Sequence, residues 1–192
     1  MKKRNQILDY IREISIVVIG VLIAVSIGNY KEKIDNENYL SKTLEAIQNE
    51  IITSQSDVDT VLSRHIELYE KLETEFSENQ MTLGEFIANS GGFQVAYVKN
   101  ISLRFFISNK AELLEYEIIA QLSEIEQATK ILSDKIDRLG SFAYDHVNEN
   151  DKDVMLKFAY LLSDVIDSEQ SLLDAYSEFL EQNKTKLKNK NE

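Results

Sequence analysis

The chain has 192 residues, with 21 Lys+Arg against 33 Asp+Glu, a net charge of −12. It has no Cys, no Pro and no Trp. The acidic balance excludes a general nucleic-acid binder, which needs clustered Lys and Arg to neutralise phosphate. The missing Cys excludes a disulfide framework, a thiolate zinc site and a Cys nucleophile.

At average usage near 5% Pro, about ten prolines would be expected. Their absence points to long uninterrupted helices, because Pro is the residue helices exclude. A chain that is 43% hydrophobic and 28% charged is a foldable mixture, not a disordered one.

The first element is apolar. Residues 1–13 carry Lys2, Lys3, Arg4 and Arg12 against Asp9 and Glu13. An uncharged run of 17 residues follows, Ile14 to Tyr30. As a helix it spans roughly 25 Å, the short edge of what a bilayer core requires. Tyr10 and Tyr30 bracket it at the positions of interfacial aromatics. Two other accounts fit the same residues: a cleaved secretory signal with Ala24-Val25-Ser26 as the cleavage site, or a buried soluble helix. Asp9, Arg12 and Glu13 between the basic start and the apolar stretch argue for a retained anchor. Gly20, Ala24 and Gly28 fall at i, i+4 and i+8, a small-residue face on which two membrane helices pack closely. Gly and Ala are also simply common in membrane helices.

Four basic residues precede the run, and Lys31, Lys33 and Lys42 follow it. The positive-inside bias then sets residues 1–13 in the cytoplasm. The 31–192 region, with 17 basic and 31 acidic residues, becomes extracytoplasmic, held at the inner membrane by one pass.

Glu13-Ile14, Val17 to Ala24 and Asn29-Tyr30 resemble the opening of a bacterial membrane-protein family, the domain of unknown function numbered 6090. Members read like GEI-LVVIGILIAL-INNW-E at this place. Here Arg12 replaces the Gly, Ser26-Ile27-Gly28 replaces a stretch of longer side chains, and Tyr30 stands where Trp is usual. Ile107-Ser108-Asn109-Lys110-Ala111-Glu112-Leu113 also resembles the family's I-x-N-K-x-x-L step. The likeness is good over about 20 residues and loose beyond. It implies a single-pass anchor with an extramembrane helical domain. It brings no activity and no functional residue.

From Lys31 to Gln80 there is neither Gly nor Pro. Leu40, Leu44, Ile47, Ile51, Val58, Val61, Leu68 and Leu72 repeat on steps of four and three, a heptad seam that Ser54 and His65 interrupt. The pattern predicts one helix from about residue 5 to 78. Thr82 and Glu85 have capping-box spacing for a short helix through Ala88. Asn89-Ser90-Gly91-Gly92 is a loop by composition. Residues 93–107 show partial period-2 alternation, which suits a short strand, while 101–107 suits a short helix equally. Ser108-Asn109 before Glu112 predicts an N-cap. Leu114, Ile118, Leu122, Ile125, Leu132, Ile136, Leu139 and Ala143 predict a second long helix. Residues 148–151 predict a turn. Met155, Phe158, Leu162, Val165, Leu172, Tyr176 and Phe179 predict a third helix, to about Glu181.

The expected fold is therefore all-α: an N-terminal transmembrane helix continuing into a long amphipathic one, in an antiparallel three-helix bundle with one short extra helix. The divisions are a cytoplasmic segment, 1–13; a transmembrane helix, 14–30; an extramembrane bundle, 31–181; and a flexible lysine-rich tail, 182–192.

No catalytic, cofactor or metal motif is legible. There is no Gly-rich phosphate loop, H-E-x-x-H or G-x-S-x-G. Leu62 and Ala143 stand where a di-metal bundle would place Glu before His65 and His146. His65 on the seam reads as a polar residue with a hydrogen-bond partner, ahead of a ligand or a pH sensor. His146 reads as solvated beside a turn. Glu67, Glu70, Glu73, Glu75 and Glu78 read as a solvated face ahead of a cation surface. Phe93, Tyr97, Phe105 and Phe106 either plug the bundle end or form a partner patch. The functional expectation is a non-enzymatic, membrane-anchored protein without cofactor or small-molecule substrate, whose partners are the bilayer and either a second copy or another envelope protein. The alternative is an extracytoplasmic sensory or ligand-binding bundle acting through a transmembrane partner.

Overall fold

The computed structural model describes residues 2–75, 81–110 and 113–188. All regular structure among them is helical, with five α-helices: α1 (Lys2–Glu75), α2 (Leu83–Asn89), α3 (Ile101–Lys110), α4 (Tyr116–Asp145) and α5 (Lys152–Lys188). The chain divides into two compact units, Met1–Lys42 and Thr43–Glu192.

In the first unit, helix α1 carries the apolar run. None of the most apolar 18-residue window is buried by the rest of the chain. Val17, Leu22 and Ile27 all stand in the open.

The second unit holds the core. Its α4 and α5 form an antiparallel hairpin: Asn183 donates to Gln121 at 3.0 Å near one end, and Lys135 donates to the Asp164 carbonyl at 3.0 Å further along. Ile118, Leu122, Ile125, Leu132 and Leu139 of α4 bury against Phe158, Leu162, Val165, Leu172 and Phe179 of α5. From α1, Ile47, Ile51, Val58, Val61, Leu68 and Leu72 are buried, while Leu40 and Leu44 are half-buried. The residues that interrupt the seam, Ser54 and His65, are buried too.

The capping box forms as the spacing predicts. The Thr82 hydroxyl accepts from Glu85 N at 3.2 Å, and the Glu85 carboxylate accepts from Thr82 N at 2.9 Å. Leu83 N and Gly84 N then donate to the carbonyls of Glu149 and Val147, each at 2.8 Å, docking α2 on the α4–α5 turn. Gly91 and Gly92 have φ of 93° and 83°, a region open to glycine at little cost.

Three expectations are corrected. Residues 93–100 are irregular rather than a strand, because α1 side chains rather than a neighbouring strand satisfy their backbone, as described below. Ser108 and Asn109 do not cap a helix; they lie inside α3, and α4 begins after Glu115, which makes no side-chain cap. Helix α5 continues past Glu181 to Lys188, because Asn183 is buried and bonded to Gln121 and to the Phe179 carbonyl. The expected end of α1 at residue 78 and the tail beyond 188 lie outside the described residues.

The glycine at 84 is set by contact. A Cβ there would stand 2.5 Å from Val147 Cγ2 and 2.8 Å from Val147 O. Gly84→Ala is expected to push α2 off the turn and lower stability by about 1–3 kcal/mol. Denaturant unfolding of the micelle-bound protein measures it.

Candidate functional site

Three α1 side chains reach the irregular strap 93–100 and the start of α3. Glu50 is furthest toward the N-terminus. Its carboxylate accepts from Ser102 N, at 3.1 and 3.0 Å to its two oxygens, and from Ser102 Oγ at 3.0 Å. A carboxylate in that position satisfies orphan donors at the first turn of α3 and complements its dipole. One turn on, Ser54 Oγ accepts from Lys99 N at 2.8 Å and donates to Lys99 O at 3.4 Å. The hydroxyl thus takes the place of a backbone partner for one strap residue.

The third contact is His65. Its ring is 1% exposed and lies between α5 and the strap. Nε2 stands 2.9 Å from the Gln94 carbonyl oxygen, and Nδ1 stands 3.0 Å from Glu169 Oε2. Glu169 Oε1 is also 3.0 Å from Nδ1 but is not aligned to bond, and it is left without a hydrogen bond. Glu169 itself is 0% exposed. The Phe93 ring stacks on His65 at 4.9 Å between centroids, with planes 13° apart. Arg64 bonds the Gln94 side-chain oxygen. A buried pair of this kind is costly to form and costlier to break, since removing one partner strands the other in a dry interior.

A pocket of about 330 Å³ lies beside the ring, walled by Arg64, His65 and Leu68 of α1 and by Ser90, Gly92 and Gln94. His65 has both ring nitrogens committed to the contacts above. On its outer side Glu67 pairs with Lys71 at 2.7 Å, and that ammonium holds the Glu67 carboxyl below the usual carboxylate range.

A second polar group crosses the core. Tyr176 of α5 and Thr129 of α4 are buried hydroxyls without a well-formed hydrogen bond. Burial pushes the Tyr176 phenol up, and the neighbouring Thr129 and Ser54 hydroxyls oppose the shift only in part.

The aromatic candidates separate. Phe106 is 0% exposed and belongs to the core. Phe93 is half-buried on His65, whereas Tyr97 (65%) and Phe105 (62%) face outward. His146 is half-buried: Nδ1 contacts Glu149 at 2.9 Å, and its ring packs on Phe142 at 4.4 Å. Gly20 and Gly28 have open space where a Cβ would stand, so nothing in this chain requires glycine there.

Sequence reading missed Glu169 as the partner of His65. A signal was present. Every stripe skips a heptad step, α1 two of them, and a polar residue fills each gap: Ser54 between Ile51 and Val58, His65 between Val61 and Leu68, Thr129 between Ile125 and Leu132, Glu169 between Val165 and Leu172. The skipped positions name the buried polar contacts.

No family model, no curated protein and no solved structure matches the chain.

The Tyr176 shift has a testable sign. The folded state holds this proton more tightly than the unfolded chain. Its contribution is complete below the ordinary phenol value of 10.0 and is lost as pH rises through the higher folded value. Tyr176→Phe removes an unbonded buried hydroxyl and is expected to change neutral-pH stability by no more than about 1 kcal/mol. It should flatten part of the alkaline fall in unfolding free energy, and ultraviolet titration should lose its latest-ionising tyrosine.

Proposed function

We propose that the chain is a non-enzymatic, single-pass membrane protein whose helical region makes protein–protein contacts at the cell envelope. The observation that carries this reading is the apolar run. A core helix of a water-soluble protein is buried by its own chain, and this one is not buried at all over its most apolar window. Residues 14–30 form the membrane pass, 1–13 lie in the cytoplasm, and the acidic helical region stands outside the inner membrane. The anchor is of the kind seen in the domain of unknown function 6090, which its opening residues resemble. In the same reading, the α1 seam joins the α4–α5 hairpin as a three-helix bundle, in which α5 runs antiparallel to both neighbours. The side-chain bonds His65–Glu169 and Gln55–Ser177 support that arrangement.

Contacts between anchored copies are drawn to the Gly20, Ala24 and Gly28 face. The outward Tyr97 and Phe105 are the matching candidates outside the membrane. A second reading, an extracytoplasmic ligand-binding bundle working through a transmembrane partner, is favoured by one observation, the pocket beside His65. Thermal stabilisation of the full chain by a small-molecule library distinguishes it.

Crosslinking the full-length protein in native membranes, followed by mass spectrometry, tests the leading reading. Self-peptides in bands at multiples of 22.1 kDa identify a homo-oligomer. One reproducible foreign partner identifies an accessory subunit. Monomer alone contradicts both. For a homo-oligomer, Gly20→Leu is expected to abolish the crosslinked bands, and since its own chain leaves that position open, the loss reports packing between chains.

A further inference from the structure

We propose that the His65–Glu169 pair is a proton-operated latch on strap 93–100, closed while the pair holds its proton and released when the proton leaves. This goes beyond the anchoring role and stands on bond geometry.

The Gln94 carbonyl can only accept, so closing that 2.9 Å contact requires a proton on Nε2. The opposite nitrogen faces a carboxylate at 3.0 Å, and that bond requires a second proton. A neutral ring beside an ionised carboxylate has only one proton for the two bonds. The charged acceptor forms the stronger bond, so the remaining proton stays on Nδ1. The Nε2 lone pair then meets the Gln94 oxygen lone pairs, and the strap loses its main-chain tie at Gln94. The stacked Phe93 face favours a cationic ring and loses that attraction in the same step.

The surrounding charges are identified. Glu169 faces the ring from α5. Arg64 and Glu67 flank it on α1, with Glu67 held ionised by Lys71. The strap presents the Gln94 carbonyl and the Phe93 ring, and Ser90, Gly91 and Gly92 are uncharged. Among the described residues no charged group of α4 bonds the pair. The other ties, Arg64 to the Gln94 side chain, Ser54 to Lys99 and Glu50 to Ser102, use neither ring nitrogen of His65, so they stay when its proton leaves. Release is therefore confined to the main chain around Gln94, next to the outward Val95 and Tyr97.

Glu169→Gln separates the latch from a merely structural pair. A Gln amide N–H can donate to Nδ1, leaving Nε2–H for Gln94, so the tie closes without the extra proton. Hydrogen exchange of strap peptides, corrected for intrinsic rates, is followed in the full-length micelle-bound protein from about pH 5 to 9, which brackets ordinary histidine titration. Wild-type protection is expected to fall with rising pH, by up to about tenfold per pH unit for one proton. Glu169→Gln is expected to stay flat. The same profile in both proteins, falling or flat, overturns the latch. If Glu169→Gln loses its helicity, ring nitrogen-15 spectra of the unaltered pair decide, with His146→Gln removing the one other histidine. Protons on both His65 nitrogens in the protected state support the latch. A proton fixed on the same single ring nitrogen at every pH overturns it.

Discussion

Seventeen successive uncharged residues, Ile14 to Tyr30, form helix that the rest of the chain does not cover. Each large aliphatic side chain held in water there forgoes about 1.5–3 kcal/mol of burial. Among the described residues no contact recovers that cost. Backbone polarity is satisfied inside the helix, and Ser26 Oγ donates to the Leu22 carbonyl at 2.8 Å, so its hydroxyl is satisfied there as well. That combination, apolar on every side and internally bonded, is what hydrocarbon accepts. On the proposed reading the bilayer is the missing partner.

The second unit is organised by polar residues set into apolar seams. Ile47, Ile51, Val58 and Val61 supply non-directional burial, which fixes neither register nor neighbour. Ser54 and His65 are directional. They place the strap at Lys99 and Gln94, and Glu50 fixes where α3 starts. The His65–Glu169 contact joins elements 104 residues apart, and its registry role is the best-supported use of a buried polar pair. Hydrophobic residues of similar volume can hold two helices as firmly, but here they would leave the Gln94 carbonyl without its partner.

The long helices were legible because their apolar residues repeat on heptad steps over many turns, and the capping box because Thr82 and Glu85 carry it in four residues. The strap was not legible. Its alternation at Val95 and Tyr97 imitates a strand, yet its backbone partners are side chains more than 25 residues earlier in the chain. Ser108-Asn109 has cap chemistry, but Ile101 to Phe106 already turn as helix, and the turn carries through them. Of the candidate site, His65 was read as a seam residue with a partner. Glu169 was missed because, on a chain with 33 acidic residues, a single carboxylate within a stripe does not stand out. The skipped heptad positions of separate helices mark both as buried polar sites.

The central claim is that residues 14–30 are retained in the membrane. Alkaline carbonate extraction of membranes from expressing cells, with intact-mass analysis of both fractions, tests it most directly. The account predicts the chain in the membrane pellet at 22.1 kDa. Chain in the supernatant at that mass, or a shorter chain lacking the apolar run, would contradict it.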